Sequence, residues 1–83
     1  MIRKIIKVKW EDSVGRTGWW DKDEVQEQCQ VAKITTVGFQ VKRSREKVIV
    51  ALSHDERKRG QLVADLVTIP RGCIKSIEVI GKG

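Results

Sequence analysis

Val31-Ala-Lys-Ile-Thr-Thr-Val-Gly-Phe-Gln-Val41, then Lys42-Arg43-Ser44-Arg45-Glu46-Lys47, then Val48-Ile49-Val50-Ala51-Leu52: this stretch decides the fold. Two blocks of strand length, rich in β-branched residues, flank a polar turn, and two strands so joined make a hairpin. In the first block Val37, Phe39 and Val41 share a face. Gly38 between them signals a bulge or a sharp bend, because a glycine inside a strand weakens the ladder and permits close backbone approach.

Upstream, Ile6, Val8 and Trp10 alternate with Lys7 and Lys9, the period of a half-buried strand over residues 1 to 10. Residues 11 to 18 break that period with Gly, Asp and Ser and read as a loop. Asp21 and Glu24 then stand at capping-box spacing, with Trp20 and Val25 placed as a hydrophobic staple. A short helix over about residues 22 to 29 follows, with Val25 and Cys29 as a single apolar stripe. Downstream, His54 to Gly60 is a charged loop. Gln61 to Ile69 is a strand with Leu62, Ala64 and Leu66 on one face. Pro70 to Cys73 punctuates the chain, and Ile74, Ile77, Val79 and Ile80 mark a last strand.

The chain has 83 residues, with 17 Lys/Arg against 11 Asp/Glu for a net charge of +6, and 40% apolar residues. This is one small basic domain, residues 1–83, with a thin core. Five strands and one short helix between strands 1 and 2 exclude a doubly wound parallel sheet. They fit a mainly β fold, a small five-stranded bent antiparallel barrel. The basic N-terminus lacks a continuous apolar segment and no stretch approaches 18 apolar residues, so neither a signal peptide nor a membrane span is expected. Cys29 and Cys73 form no C-x-x-C pair and read as reduced thiols.

The motif Ile69-Pro70-x-x-x-Ile74-x-x-Ile77 resembles the single helical turn that joins the last two strands of SH3-like and Sm-like barrels. Val8-x-Trp10-x-Asp12-Ser13, Gly18-Trp19-Trp20, Thr36-Val37-Gly38, Ile49-Val50-x-Leu52-Ser53 and Ile69-Pro70 together resemble short bacteriophage and prophage proteins of no assigned activity. The resemblance spans most of the chain. It implies a bacterial cytoplasm and a gene of viral origin, and it carries no catalytic residue across.

Charge is segregated along the chain. Residues 11 to 30 hold six acids against two bases, whereas residues 31 to 60 hold eight bases against three acids. Solvated faces account for much of this. Lys42, Arg43, Arg45 and Lys47 in one turn and Arg57, Lys58 and Arg59 in one loop go further, since like charges packed so tightly gain from an anion. Of the three tryptophans, Trp10 and Trp20 are assigned to the core. Trp19, following Gly18 and near Arg16, is free to stack on a nucleobase. The candidate ligand-binding set is therefore Arg16, Trp19, Lys42, Arg43, Arg45, Arg57, Lys58 and Arg59.

Catalysis is not expected. Ser53-His54-Asp55 holds triad residue types as immediate neighbours, which cannot form a relay. Cys29, His54 and Cys73 lack metal-ligand spacing, and the pairs Glu11/Asp12 and Asp21/Asp23 are explained by a loop and a helix start. No cofactor or metal is assigned. The function expected is a non-catalytic, homo-oligomeric module that binds RNA or single-stranded DNA. The alternatives are a protein that sequesters a small phosphorylated or cyclic nucleotide, and a protein-interaction module acting on a host protein.

Overall fold

The computed structural model describes residues 4–57 and 62–82. Its elements are β1 (Lys4–Asp12), α1 (Lys22–Gln28), β2 (Ala32–Arg43), β3 (Lys47–Asp55), β4 (Leu62–Pro70), a 3-10 turn (Arg71–Cys73) and β5 (Ile74–Lys82). All neighbours are antiparallel, in the order β4-β3-β2-β1-β5. The mainly β class, the five strands and the helix between the first two are as expected. The sheet is not closed: β4 and β5 are its two edges and do not pair.

β2 is shared between two halves of the sheet. Residues from Ala32 to Phe39 pair with β1, and from Phe39 onward the strand pairs with β3. The handover coincides with Gly38, where an added Cβ would lie 2.5 Å from the Ala51 carbonyl oxygen and 2.8 Å from Val50 Cγ1. Only glycine lets β3 cross so near. The bend expected at Gly38 is there, while the register shift falls three residues later, at Val41 between Gln40 and Lys42. The Phe39 ring meets His54 edge-on, with centroids 4.5 Å apart at 86°, a favourable aromatic geometry at the corner.

This bend makes the core. Ile6 and Val8 from one half face Val48, Val50 and Ile69 from the other, with Trp10, Ile74 and Ile77 packed around them. Trp10 is structural as expected, and its Nε1 donates to Thr36 Oγ1 at 3.0 Å. Trp10→Phe should cost about 1 kcal/mol, measured by urea denaturation, because it leaves that hydroxyl without its partner. The apolar face Val37/Phe39/Val41 is not the core face. Because Ile6 pairs with Gly38 and Val8 with Thr36, alternation sends Val37 and Val41 outward, where both are exposed.

Two parts of the chain leave this core. The segment from Ser13 to Val31 is exposed throughout, and α1 buries no residue. Asp21 caps the helix as expected, accepting from Asp23 N–H at 2.8 Å. Trp20, however, is not buried: it is 38% exposed and its Nε1 donates to the Thr17 carbonyl at 2.8 Å, so the indole covers its own loop. Trp20→Ala should therefore cost about 1 kcal/mol, well under the 3–5 of a buried aromatic. Asp21→Ala should reduce the far-ultraviolet helix signal while moving the urea midpoint little, since nothing in the core leans on α1.

The second departure is an arm. β3 and β4 remain paired out to Asp55 and Leu62, beyond the last β2–β3 pair at Phe39 and Ala51. The expected loop start at His54 is therefore still strand. At the root of the arm, opposite Leu52, Asp65 adopts φ 57, a left-handed conformation that Asp tolerates better than most residues. Gln61, the expected start of the fourth strand, lies outside the described residues.

Candidate functional site

The β2–β3 turn is built by Ser44. Its N–H donates to the Lys47 carbonyl at 2.9 Å, and its Oγ accepts from the Glu46 and Lys47 N–H groups at 3.3 Å. A Ser closing a turn on its own backbone is common chemistry, and here it fixes the surrounding cations. Lys42 and Arg43 end β2 rather than belonging to the turn, because the extra residue Val41 prolongs the strand. Arg45 sits in the turn itself, and all three are exposed.

The fold keeps Lys47 beside them and brings one more cation. Lys47 begins β3 and pairs with Pro70, and the Arg71 N–H donates to the Glu46 carbonyl at 3.0 Å, which ties the 3-10 turn to the β2–β3 turn. Five cationic residues, Lys42, Arg43, Arg45, Lys47 and Arg71, thus surround one acid, Glu46. None of them is in an ion pair among the described residues. Arg71 was missed by sequence reasoning, since 25 residues separate it from Glu46 and only strand pairing reveals the juxtaposition.

The remaining expected residues lie elsewhere. Arg57 follows β3, whose nine residues place it about 26 Å from the turn at the usual rise per residue. Its guanidinium is engaged, with Nη2 2.7 Å and Nε 3.0 Å from Asp55 Oδ2. That fork holds the exposed Asp55 carboxyl below its ordinary range. Lys58 and Arg59 lie outside the described residues. Trp19 is 103% exposed. Arg16 Nη2 lies 3.5 Å from the Gln28 carbonyl, and no cation–π contact joins it to Trp19 among the described residues.

A second basic surface spans β1, β2 and β5. Lys9, Lys33 and Lys75 line an open depression of about 450 Å³ together with Trp10, Glu11, Ile34 and Thr35. Glu11 pairs across the sheet with Lys33 and accepts from Lys75 Nζ at 2.8 Å, a bond that raises the Lys75 pKa above its ordinary value. Lys9 and Lys33 are in no ion pair among the described residues. The alternation Lys7/Lys9 was the available signal, but Lys33 and Lys75 join it only through the β1–β2 and β1–β5 registers.

Ser53 and Asp55 lie on one face of β3 and His54 on the other, as strand alternation requires, so the three cannot act as a relay. Among the described residues no group of three or more His, Cys, Asp and Glu gathers as metal ligands, and no helix is long and apolar enough to cross a membrane. Comparison with known protein families, curated proteins and solved structures yields no match.

Proposed function

We propose that the chain is a non-catalytic binding module for a polyanion, RNA or single-stranded DNA, and that it works as a homo-oligomer. The observation that carries this reading is the β2–β3 turn, where five cationic residues surround one acid and none is ion-paired among the described residues. Side chains so placed lose mutual repulsion when phosphates neutralise them. Lys75 of the Lys9/Lys33/Lys75 depression stands four residues after Arg71 of this turn, and two basic sites linked in this way favour an extended ligand over a single nucleotide.

Self-association is supported by the free edges. β4 and β5 each present an unpaired strand side, and proteins cover such edges or pair them. Pairing the two edges between copies would complete a small barrel of the SH3-like or Sm-like kind. The strand order and the 3-10 turn between β4 and β5 support that architecture. One observation favours the sequestering alternative: the 450 Å³ depression lies within the size range of small-molecule sites, and its lysines suit a small phosphorylated nucleotide.

Fluorescence anisotropy with labelled oligonucleotides of increasing length, at several salt concentrations, tests the reading. Affinity should rise with length and fall with salt. Salt-tolerant, saturable binding of a mononucleotide would favour the alternative instead, and no binding of either at low salt would remove both.

A further inference from the structure

β5 carries an extra residue where it passes the end of β1. Lys9 lies opposite Ser76 and Trp10 opposite Ile74, so Lys75 has no partner in the ladder. A β-bulge of this kind bends its strand and re-aims a side chain, and such bulges gather beside functional sites. In an unbroken register Lys75 would stand opposite Trp10, on the side of the sheet where Trp10 and Ile74 pack against the core. The bulge releases it to the other side, where its Nζ reaches Glu11 Oε1 at 2.8 Å.

The β1–β2 register sets the rest of that side. Glu11 stands opposite Lys33, and Lys9 opposite Thr35. Cross-strand neighbours lie about 5 Å apart at Cβ and diagonal ones about 7–8 Å, within reach of long side chains. Lys9, Lys33 and Lys75, drawn from three strands, therefore surround one carboxylate in the depression of about 450 Å³. Lys9 and Lys33 are exposed and in no ion pair among the described residues. The Glu11 side chain is 27% exposed against 64% for Lys75, so the carboxylate lies deeper and positive charge is left in excess at the mouth.

We propose that this depression is a phosphate site: Lys9, Lys33 and Lys75 hold one phosphate group, and Glu11 is the anion that the phosphate replaces at Lys75. A lysine head is a compact charge with three rotatable donors, and it takes carboxylate or phosphate oxygens by the same charge-assisted hydrogen bonds. An exposed ion pair has little net worth, so the exchange is easily made. Glu11 thus limits the repulsion among the lysines in the free protein and opposes the phosphate in the bound one, which makes it the residue that sets affinity here. This role rests on the polyanion reading above and deepens it. Arg71 begins the 3-10 turn and Lys75 is the second residue of β5, about 10 Å apart at the usual rises, so phosphates of one strand can occupy both basic sites.

Fluorescence anisotropy of the full chain with a labelled single-stranded oligonucleotide tests the site. Lys75→Gln should weaken binding and flatten the salt slope by about 0.7, one phosphate contact. Glu11→Gln should strengthen binding about 2- to 5-fold, the worth of one exposed ion pair. Opposite effects from the two ends of one ion pair are not what a merely structural bond gives. Glu78→Gln removes the same charge from the neighbouring pair with Lys7, at 3.4 Å, and should leave affinity within about 1.5-fold of wild type, because salt screens a charge that does not touch the phosphate. Titration with adenosine monophosphate, followed by amide chemical shifts, identifies the source. Shifts at Lys33 and Lys75 that Glu11→Gln enhances assign the site to the phosphate of a small nucleotide, and oligonucleotide effects without them assign it to a strand. Oligonucleotide binding that responds to Arg43→Glu but not to Lys75→Gln or Glu11→Gln, or an equal gain from Glu78→Gln, overturns the phosphate site and leaves the polyanion reading standing. No binding of either ligand at low salt overturns both.

Discussion

Gly38→Ala should cost about 3 kcal/mol, the upper part of the usual overpacking range, and Gly38→Val should leave no cooperative urea transition at all. The methyl carbon would sit 2.5 Å from the Ala51 carbonyl oxygen and 2.8 Å from Val50 Cγ1. The oxygen is backbone, and Ala51 is paired to Phe39 on one side and to Leu66 on the other, so it cannot step aside alone. Relief requires β3 to move away from β2. That motion carries Val48, Val50 and Ile69 off Ile6 and Val8, which together are the buried cluster. A domain of this size has a total stability of only about 4–12 kcal/mol, so a few kcal/mol is a large share of it. Gly72→Ala is the control: an added Cβ there meets nothing within 4 Å, and the midpoint should not move. A Gly38→Ala chain with the wild-type urea midpoint would show that the crossing of β2 and β3 is looser than described.

The same glycine shows why part of the fold was legible and part was not. Strand blocks, a polar turn between β2 and β3, the Asp21 cap and the bend at Gly38 are local events, set by period, capping chemistry and backbone freedom within a few residues. The facing of each strand is decided elsewhere. Val37, Phe39 and Val41 alternate as well as Ile34 and Thr36 do, but the face bearing Gly38 turns inward because β3 crosses there. Leu62, Ala64 and Leu66 alternate like any half-buried strand, yet they sit on the arm, where no second layer meets them. Trp20 was placed in a staple by spacing, and the exposed setting of α1 left it only its own loop to cover. At the candidate site, Lys42, Arg43, Arg45 and Lys47 were readable because they are sequence neighbours. Arg71 and the gathering of Lys33 and Lys75 about Glu11 were not, since each depends on strand registers across the sheet.

Reversing the turn, with Arg43→Glu and Arg45→Glu, should weaken oligonucleotide binding across all sequences alike, since phosphate contacts position a strand without reading it. Each phosphate neutralised on a single strand contributes about 0.7 to the slope of log affinity against log salt. Three to five contacts at Lys42, Arg43, Arg45, Lys47 and Arg71 therefore give a wild-type slope between roughly −2 and −3.5, and the double reversal should flatten it by about 1.4 or more. Arg57→Ala should change it little, because that guanidinium is already held by Asp55. Trp19→Ala should act in a different way. Its exposed indole offers a stacking surface worth about 1–3 kcal/mol per base, roughly 5- to 150-fold in affinity. Because stacking releases few ions, the slope should stay near the wild-type value. Loss of affinity with unchanged slope at Trp19, against flattened slope at the turn, separates a stacked strand from a merely electrostatic one. If Trp19→Ala binds as the wild type does, the indole takes no part in recognition and the turn alone carries the interaction.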